Sequence, residues 1–200
     1  MARKVVPEKV EEAKEKIISA TMDLIIQDGF SKLTLANVAK KAGITKAAIY
    51  WYFSSKEELL NAMVFSLRAT FIDSTKQMAL QPIPAKQKVE AFFGALENNE
   101  VHRKCLLLVK VFLELCSTSD ETKTIIQAGY KEYIEIIQGI FDEAIMAREI
   151  KFEISSTTLS KILIAALDGC TIHNEMFGGQ WIDFKEVQKL FSLLSGEGNA

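Results

Sequence analysis

Three prolines, three cysteines and ten glycines in 200 residues leave few places for this chain to be broken or stapled. So little proline and glycine excludes a low-complexity or proline-rich polymer. The cysteines, odd in number and without metal-like spacing, exclude a disulfide scaffold and fit a reducing compartment. Cys105 and Cys116 fall on one expected helix, about 16 Å apart along its axis, too far for a disulfide. No apolar run approaches the roughly 18 residues a membrane span needs. The start, MARKVVPEKVEEAKEK, is too charged for a signal peptide, so a cytoplasmic protein with no membrane partner is expected. Also missing are a glycine-rich phosphate loop, a metal-ligand cluster and a legible nucleophile–base pair. Their lack argues against an enzyme, and neither a metal nor a cofactor is expected.

One more absence is local. From Gly29 to Lys56 there is no acidic residue, while five lysines (Lys32, Lys40, Lys41, Lys46, Lys56) occur in a chain of net charge −2. Such an excess suits phosphate neutralisation. The same stretch reads as two short amphipathic helices. Leu35, Val38, Ala39 and Ala42 make the apolar face of the first, with Thr34 as N-cap and Gly43 as C-terminal stop. Thr45 caps the second, whose inward stripe is Ile49, Tyr52 and Phe53. Lys46, Ala47, Tyr50 and Trp51 are left facing outward. Two helices joined by a tight glycine-containing turn, with small and basic residues opening the second, describe a helix-turn-helix.

Residues Ile17 to Leu60 resemble the DNA-binding domain of the TetR (tetracycline repressor-like) family of transcription regulators. The resemblance is carried by Gly29-Phe30, Thr34, Val38-Ala39, Ala42-Gly43-Ile44, Tyr50-x-Tyr52-Phe53 and Ser55-Lys56-Glu57-Glu58-Leu59. Many members have glycine after the lysine of the recognition helix. This chain has Ala47, so base preference is not carried over. The resemblance implies a ligand-regulated repressor in which a small molecule enters the helical core, tilts the fourth helix and moves two reading heads out of register. It also implies dimerisation through helices 8 and 9.

The groove geometry assigns candidate DNA contacts. Lys46, Ala47 and Ala48 open the recognition helix, where a lysine can donate to guanine and alanine methyls can meet thymine. Tyr50 and Trp51 lie along the sugar-phosphate rail, and Tyr52 is a further candidate contact. Thr34 and Thr45 can each bond a phosphate while capping a helix. Lys56 stands in the first turn of the next helix, where backbone N–H groups and an ammonium together hold a phosphate. One recognition helix reads too few base pairs for a specific site, so a homodimer on a near-palindromic double-stranded operator is expected.

The expected fold is all-α with about nine helices. Residues 1–56 form a three-helix reader (helix-turn-helix segment 34–53), and residues 57–200 a larger helical effector-binding and dimerisation domain. A first helix runs from Pro7 to about Asp28, preceded by a short basic arm at Arg3 and Lys4. Ser54-x-x-Glu57 and Ser55-x-x-Glu58 both read as capping boxes for a long fourth helix joining the two halves. Helix 6, Val101 to Cys116, is apolar almost all round and is expected at the bundle centre. Ser155 or Ser156 opens the eighth helix, which stops at Gly178-Gly179. Asp183-x-x-Glu186 caps the ninth, with Phe184, Val187, Leu190, Phe191 and Leu194 as its stripe.

Candidate ligand contacts are Phe92, Phe112, Cys116, Tyr130, Tyr133, His173, Met176 and Phe177, suited to a largely hydrophobic effector with one or two polar anchors. Lys110 and Glu114 read as an internal i, i+4 ion pair. Asp168 and His173 interrupt an apolar helix and serve either the pocket or the dimer interface; His102 has no evident metal partner. Two other readings stay open: a helix-turn-helix regulator without a small-molecule ligand, such as an activator or nucleoid-type factor, and a helical enzyme or carrier that keeps the head as a docking module.

Overall fold

The computed structural model describes residues 7–96, 98–115, 120–178 and 182–194. Among them are nine α-helices, one 3-10 turn and no strand. The helices are α1 (Pro7–Asp28), α2 (Leu35–Ala42), α3 (Lys46–Tyr52), α4 (Lys56–Ala79), α5 (Ala85–Leu96), α6 (Asn99–Leu115), α7 (Asp120–Met146), α8 (Ser156–Met176) and α9 (Phe184–Leu194). The arm at Arg3 and Lys4, Cys116 with the turn after it, Gly179 and the last six residues lie outside the described residues, as do the side chains of His102 and Leu194. The chain divides into two compact units, Met1–Ser66 and Leu67–Ala200, and the division falls within α4 rather than at its start.

In the first unit, α1 buries Ile17, Ala20, Thr21, Leu24 and Ile25 along one face. Thr21 is tolerated there because its hydroxyl donates to the Ile17 carbonyl one turn back, at 2.8 Å. Against this face pack Leu35, Val38 and Ala39 of α2, and α2 in turn packs on α3 through Ile49. Leu59, Leu60, Met63 and Val64 of α4 complete the buried set. Each such side chain contributes about 1.5–3 kcal/mol when withdrawn from water. A 3-10 turn at Phe30–Lys32 links α1 to α2; three residues are too few to show any periodicity in sequence.

The second unit is built on α7, which packs on α5 and α8, with α6 against α8 and α9 against α5 and α8. Its core joins Phe92, Phe93, Ile137, Phe141, Leu159, Leu163, Leu167 and Phe191. Two sequence expectations are corrected here. α6 is not buried all round: Leu107, Val109 and Val111 face inward, but Phe112, Leu113 and Glu114 are exposed at its C-terminal end. Nor is Lys110 part of an internal pair. Its ammonium lies 2.6 Å from Glu175 of α8, at a partly open site, and Glu114 is on the surface. The reason is common to both: α6 is covered along its inner side by α8, and the charged groups turn to the rim, where their desolvation is least costly. In α9, Leu190 is likewise exposed, whereas Phe184, Val187 and Phe191 are buried.

Candidate functional site

The nucleic-acid face is assembled from two capped helices. The Thr34 Oγ1 accepts from the backbone N–H of Asn37 at 3.1 Å, and the Thr45 Oγ1 accepts from that of Ala48, also at 3.1 Å. Each cap satisfies one N–H that the helix itself leaves orphaned. Because a hydroxyl accepts through a lone pair, its own proton stays available for a phosphate oxygen. Between the two helices Gly43 stands at φ 71°, ψ 27°, the left-handed cap conformation that a side chain resists, and its N–H returns to the last turn of α2. The turn is thereby tight enough to present α3 beside α2.

On α3, Ile49 is wholly buried and Tyr52 half-buried, while Lys46, Ala47, Tyr50 and Trp51 face solvent. Trp51 is 60% exposed, and its ring meets that of Tyr52 edge-on at 4.7 Å. Ala48 is partly covered. Among the described residues, Lys32, Lys40, Lys46 and Lys56 make no ion pair, and all four are exposed. Lys41 donates to Gln27 at 2.7 Å. At the start of α4, the Ser55 hydroxyl accepts from the Glu58 N–H at 3.0 Å, and the Glu58 carboxylate accepts from both the N–H and the hydroxyl of Ser54. Those Ser54 bonds, side chain first, hold the Glu58 carboxyl below its ordinary value. They also turn its charge back onto the cap instead of toward Lys56. Asn37, which sequence reasoning passed over, fastens α2 to the 3-10 turn through its side-chain amide, 2.7 Å from the Lys32 carbonyl.

The second candidate site lies inside the Leu67–Ala200 unit. Tyr130 of α7 donates to the Asp168 carboxylate of α8 at 2.9 Å. Burial pushes the Asp168 carboxyl up from 3.8 to about 6, with the Tyr130 bond drawing it partly back. Burial, then the Asp168 charge, raises the Cys105 thiol to about 12. Burial and the same charge raise Tyr130 as well, so both stay protonated. Tyr133, also raised by burial, faces Thr75 of α4. Aromatic rings flank the group: Phe112 lies 6.2 Å from Tyr130, and Phe92 lies 6.4 Å from Tyr133.

Of the ligand candidates, Phe92, Phe112, Tyr130 and Tyr133 are therefore brought together. His173, Met176 and Phe177 are exposed at the end of α8, with the His173 ring stacked 6.4 Å from Phe177. Cys116 lies outside the described residues. Asp168 points inward to α7. Its partner, 38 residues away, has no sequence signal beyond the interruption of an apolar helix by an acid. A separate cleft lined by Lys86, Glu90, Phe93, Phe141, Phe152 and Phe191 contains none of the expected ligand residues. Among the described residues no group of three His, Cys, Asp or Glu could hold a metal, and no helix is long and apolar enough to cross a membrane.

A capped helix pair carrying free lysines and exposed aromatics defines a helix-turn-helix DNA-binding regulator. The family model described as bacterial regulatory proteins, tetR family, matches residues 17–63, so the chain carries a DNA-binding domain of that family's kind. The fatty acid metabolism regulator protein of Bacillus subtilis (strain 168) is 26% identical over 157 residues, 76% of this chain and 78% of that protein. The HTH-type transcriptional regulator SrpR of Pseudomonas putida is 42% identical over 66 residues, 33% of this chain and 30% of its own. The crystal structure of FadR from Bacillus subtilis in complex with stearoyl-CoA aligns with a TM-score of 0.71 and 25% identity, covering 91% of this chain and 98% of that one.

Proposed function

We propose that this regulator is a ligand-responsive repressor, that it binds a near-palindromic operator as a homodimer, and that a small, largely hydrophobic molecule in the Leu67–Ala200 unit releases it. The observation that carries the reading is the acid-free face of α2 and α3, on which Lys40, Lys46 and the two threonine caps all present donors outward. Lys46, Ala47 and Ala48 meet base edges. Thr34, Thr45, Tyr50, Trp51, Tyr52 and Lys56 hold sugar and phosphate.

Pairing through α8 and α9 is supported by one exposed helix face. Ile162, Ala165 and Met176 stand outward on α8, and Leu190 on α9, apolar groups that a second copy would cover. Ligand control is supported by the aromatic group around Tyr130 and Tyr133, and by a 25%-identical relative crystallised with stearoyl-CoA, a molecule with a long apolar chain. α4, which contributes residues to both units, is the element through which ligand and operator would be coupled.

The test is selection of bound sequences from a random duplex pool at fixed salt. A palindromic consensus is the expected result. Enrichment of unpaired half-sites would overturn the dimer, and a folded sample that enriches nothing would overturn sequence-specific reading altogether.

A further inference from the structure

The donors assigned so far lie on α2, α3 and the start of α4, but the turn ahead of α2 is tied to the same face by Asn37. Two backbone bonds close that 3-10 turn, from the Lys32 N–H to the Gly29 carbonyl at 3.4 Å and from the Leu33 N–H to the Phe30 carbonyl at 3.1 Å. The Lys32 carbonyl accepts a shorter bond, 2.7 Å, from the Asn37 side-chain amide. The Asn37 backbone N–H donates to the Thr34 hydroxyl at 3.1 Å. One exposed residue of α2 therefore holds both ends of the segment 32–34. An amide suits this place. A carboxylate of the same size would set an oxygen against the Lys32 carbonyl and bring a negative charge into a stretch that has none.

The segment so held turns its polar groups to one side. Leu33 (φ −75°, ψ 100°) and Thr34 (φ −131°, ψ 151°) are extended, and along extended backbone successive side chains point to opposite faces. Leu33 and Leu35 are buried, so Lys32 and Thr34 stand outward together. Among the described residues the Lys32 ammonium makes no ion pair. Lys41, at the far end of α2, is by contrast drawn aside onto Gln27 at 2.7 Å. An ammonium supplies a point charge and a hydroxyl a directed donor, the two groups a DNA backbone phosphate takes most readily from side chains.

We propose that Lys32 and Thr34 jointly hold one backbone phosphate of the operator, and that Asn37 is the positioning residue that aims them at it. This inference rests on the operator-binding reading above and adds a phosphate anchor to each half-site.

The test uses the full chain and the operator found by the sequence selection, with affinity followed by fluorescence anisotropy from about 50 to 200 mM salt. Lys32→Ala should lower the slope of log affinity against log salt by about 0.9 for each subunit bound and leave the consensus unchanged. Asn37→Ala keeps the backbone N–H that meets Thr34 and loses only the tie to Lys32. It should weaken binding to all sequences by about three- to tenfold. In the Asn37→Ala background, Lys32→Ala should lower the slope by less than half as much as it does in the parent, because the lysine is no longer aimed. Asn37→Asp should bind more weakly still. Both positions are exposed, so melting curves should stay close to that of the parent. A Lys32→Ala slope equal to the parent's overturns the anchor. Full, additive slope losses in the double variant overturn the positioning role, as does an Asn37→Ala chain that melts earlier yet binds as the parent does. If the parent binds no duplex at all, the operator reading falls and this inference with it. A parent that binds its operator while Lys32→Ala has no effect overturns this inference alone.

Discussion

The Lys88 ammonium lies 2.8 Å from Glu143, although the Lys88 side chain is only 6% exposed and its partner is 50% exposed. The lysine stem of α5 is packed into the core and its charged tip is carried out to α7, so the pair is buried at one end and wet at the other. Most of what Lys88 contributes is therefore apolar stem. Lys88→Met should change stability by less than about 1 kcal/mol, whereas Lys88→Ala should cost about 2 kcal/mol through lost packing. Urea midpoints at constant slope check this. A Met variant as damaged as the Ala variant would mean that the ion pair, and not the stem, carries the contribution.

Thr45 caps α3 and is proposed to bond a phosphate, two roles whose separation can be measured. Its cap bond to the Ala48 N–H secures the start of α3. Thr45→Ala should cost about 1 kcal/mol of stability, and Thr45→Ser almost none. Serine keeps the hydroxyl proton, so it should keep DNA affinity as well. If Thr45→Ser weakened DNA binding as much as Thr45→Ala, the methyl and not the hydroxyl would be the contact.

The caps at Thr34, Thr45, Ser55, Ser155 and Asp183 were legible because a cap is a local device: an acceptor side chain two or three residues ahead of the N–H it serves. The inner face of α1 was legible for a similar reason, since one helical period repeats often enough over 22 residues to be read. Asp168 was visible as an interruption in α8, but nothing local selects Tyr130 as its partner. The outward turn of Phe112 and Leu113 could not be read from α6 alone, because exposure depends on which neighbours end first. The burial of Lys88 has the same origin: the residue type says surface, and only the packing of α5 against α7 says otherwise.

Gly129 of α7 lies against the Arg68 side chain of α4. A Cβ placed there would lie 2.9 Å from the Arg68 Cδ, and the Arg68 guanidinium pairs with Glu132 one turn further along α7. Because the obstacle is a flexible side chain, Gly129→Ala should be tolerated, the helix gaining about 1 kcal/mol from alanine against some displacement of arginine. Gly129→Leu should displace Arg68 from Glu132 and lower the melting temperature clearly. Equal melting of the Ala and Leu variants would show that the approach is not restrictive.

Lys56, exposed and without an ion pair at the first turn of α4, is assigned to a phosphate. Lys56→Ala should weaken binding to all sequences alike and reduce the slope of log affinity against log salt by about 0.9. Lys46→Ala should instead relax preference at one base pair of each half-site, a difference of about 1–3 kcal/mol against the wrong base. Repeating the sequence selection with both variants distinguishes these. A Lys56 variant that shifted the consensus would place that lysine on a base.

Asp168 gives a pH signature whose sign follows from its environment. In the folded chain burial raises its carboxyl from 3.8 to about 6, so the fold disfavours the ionised form. Below about pH 4 the group is protonated in both folded and unfolded chains and costs nothing. As pH rises to about 6 the unfolded chain releases this proton first, and stability falls until the folded group ionises too. A shift of this size corresponds to at most about 3 kcal/mol, and partial access to water reduces it. Asp168→Asn has no such proton, so its stability relative to the parent should rise between about pH 4 and pH 6 and level off above. Taking the difference between the two proteins removes Glu58, Glu100 and Glu132, whose lowered carboxyl values act in the opposite sense, with stability lost as pH falls. Urea midpoints of both chains across that range suffice, and a flat difference would mean that water reaches Asp168 freely enough to solvate its charge.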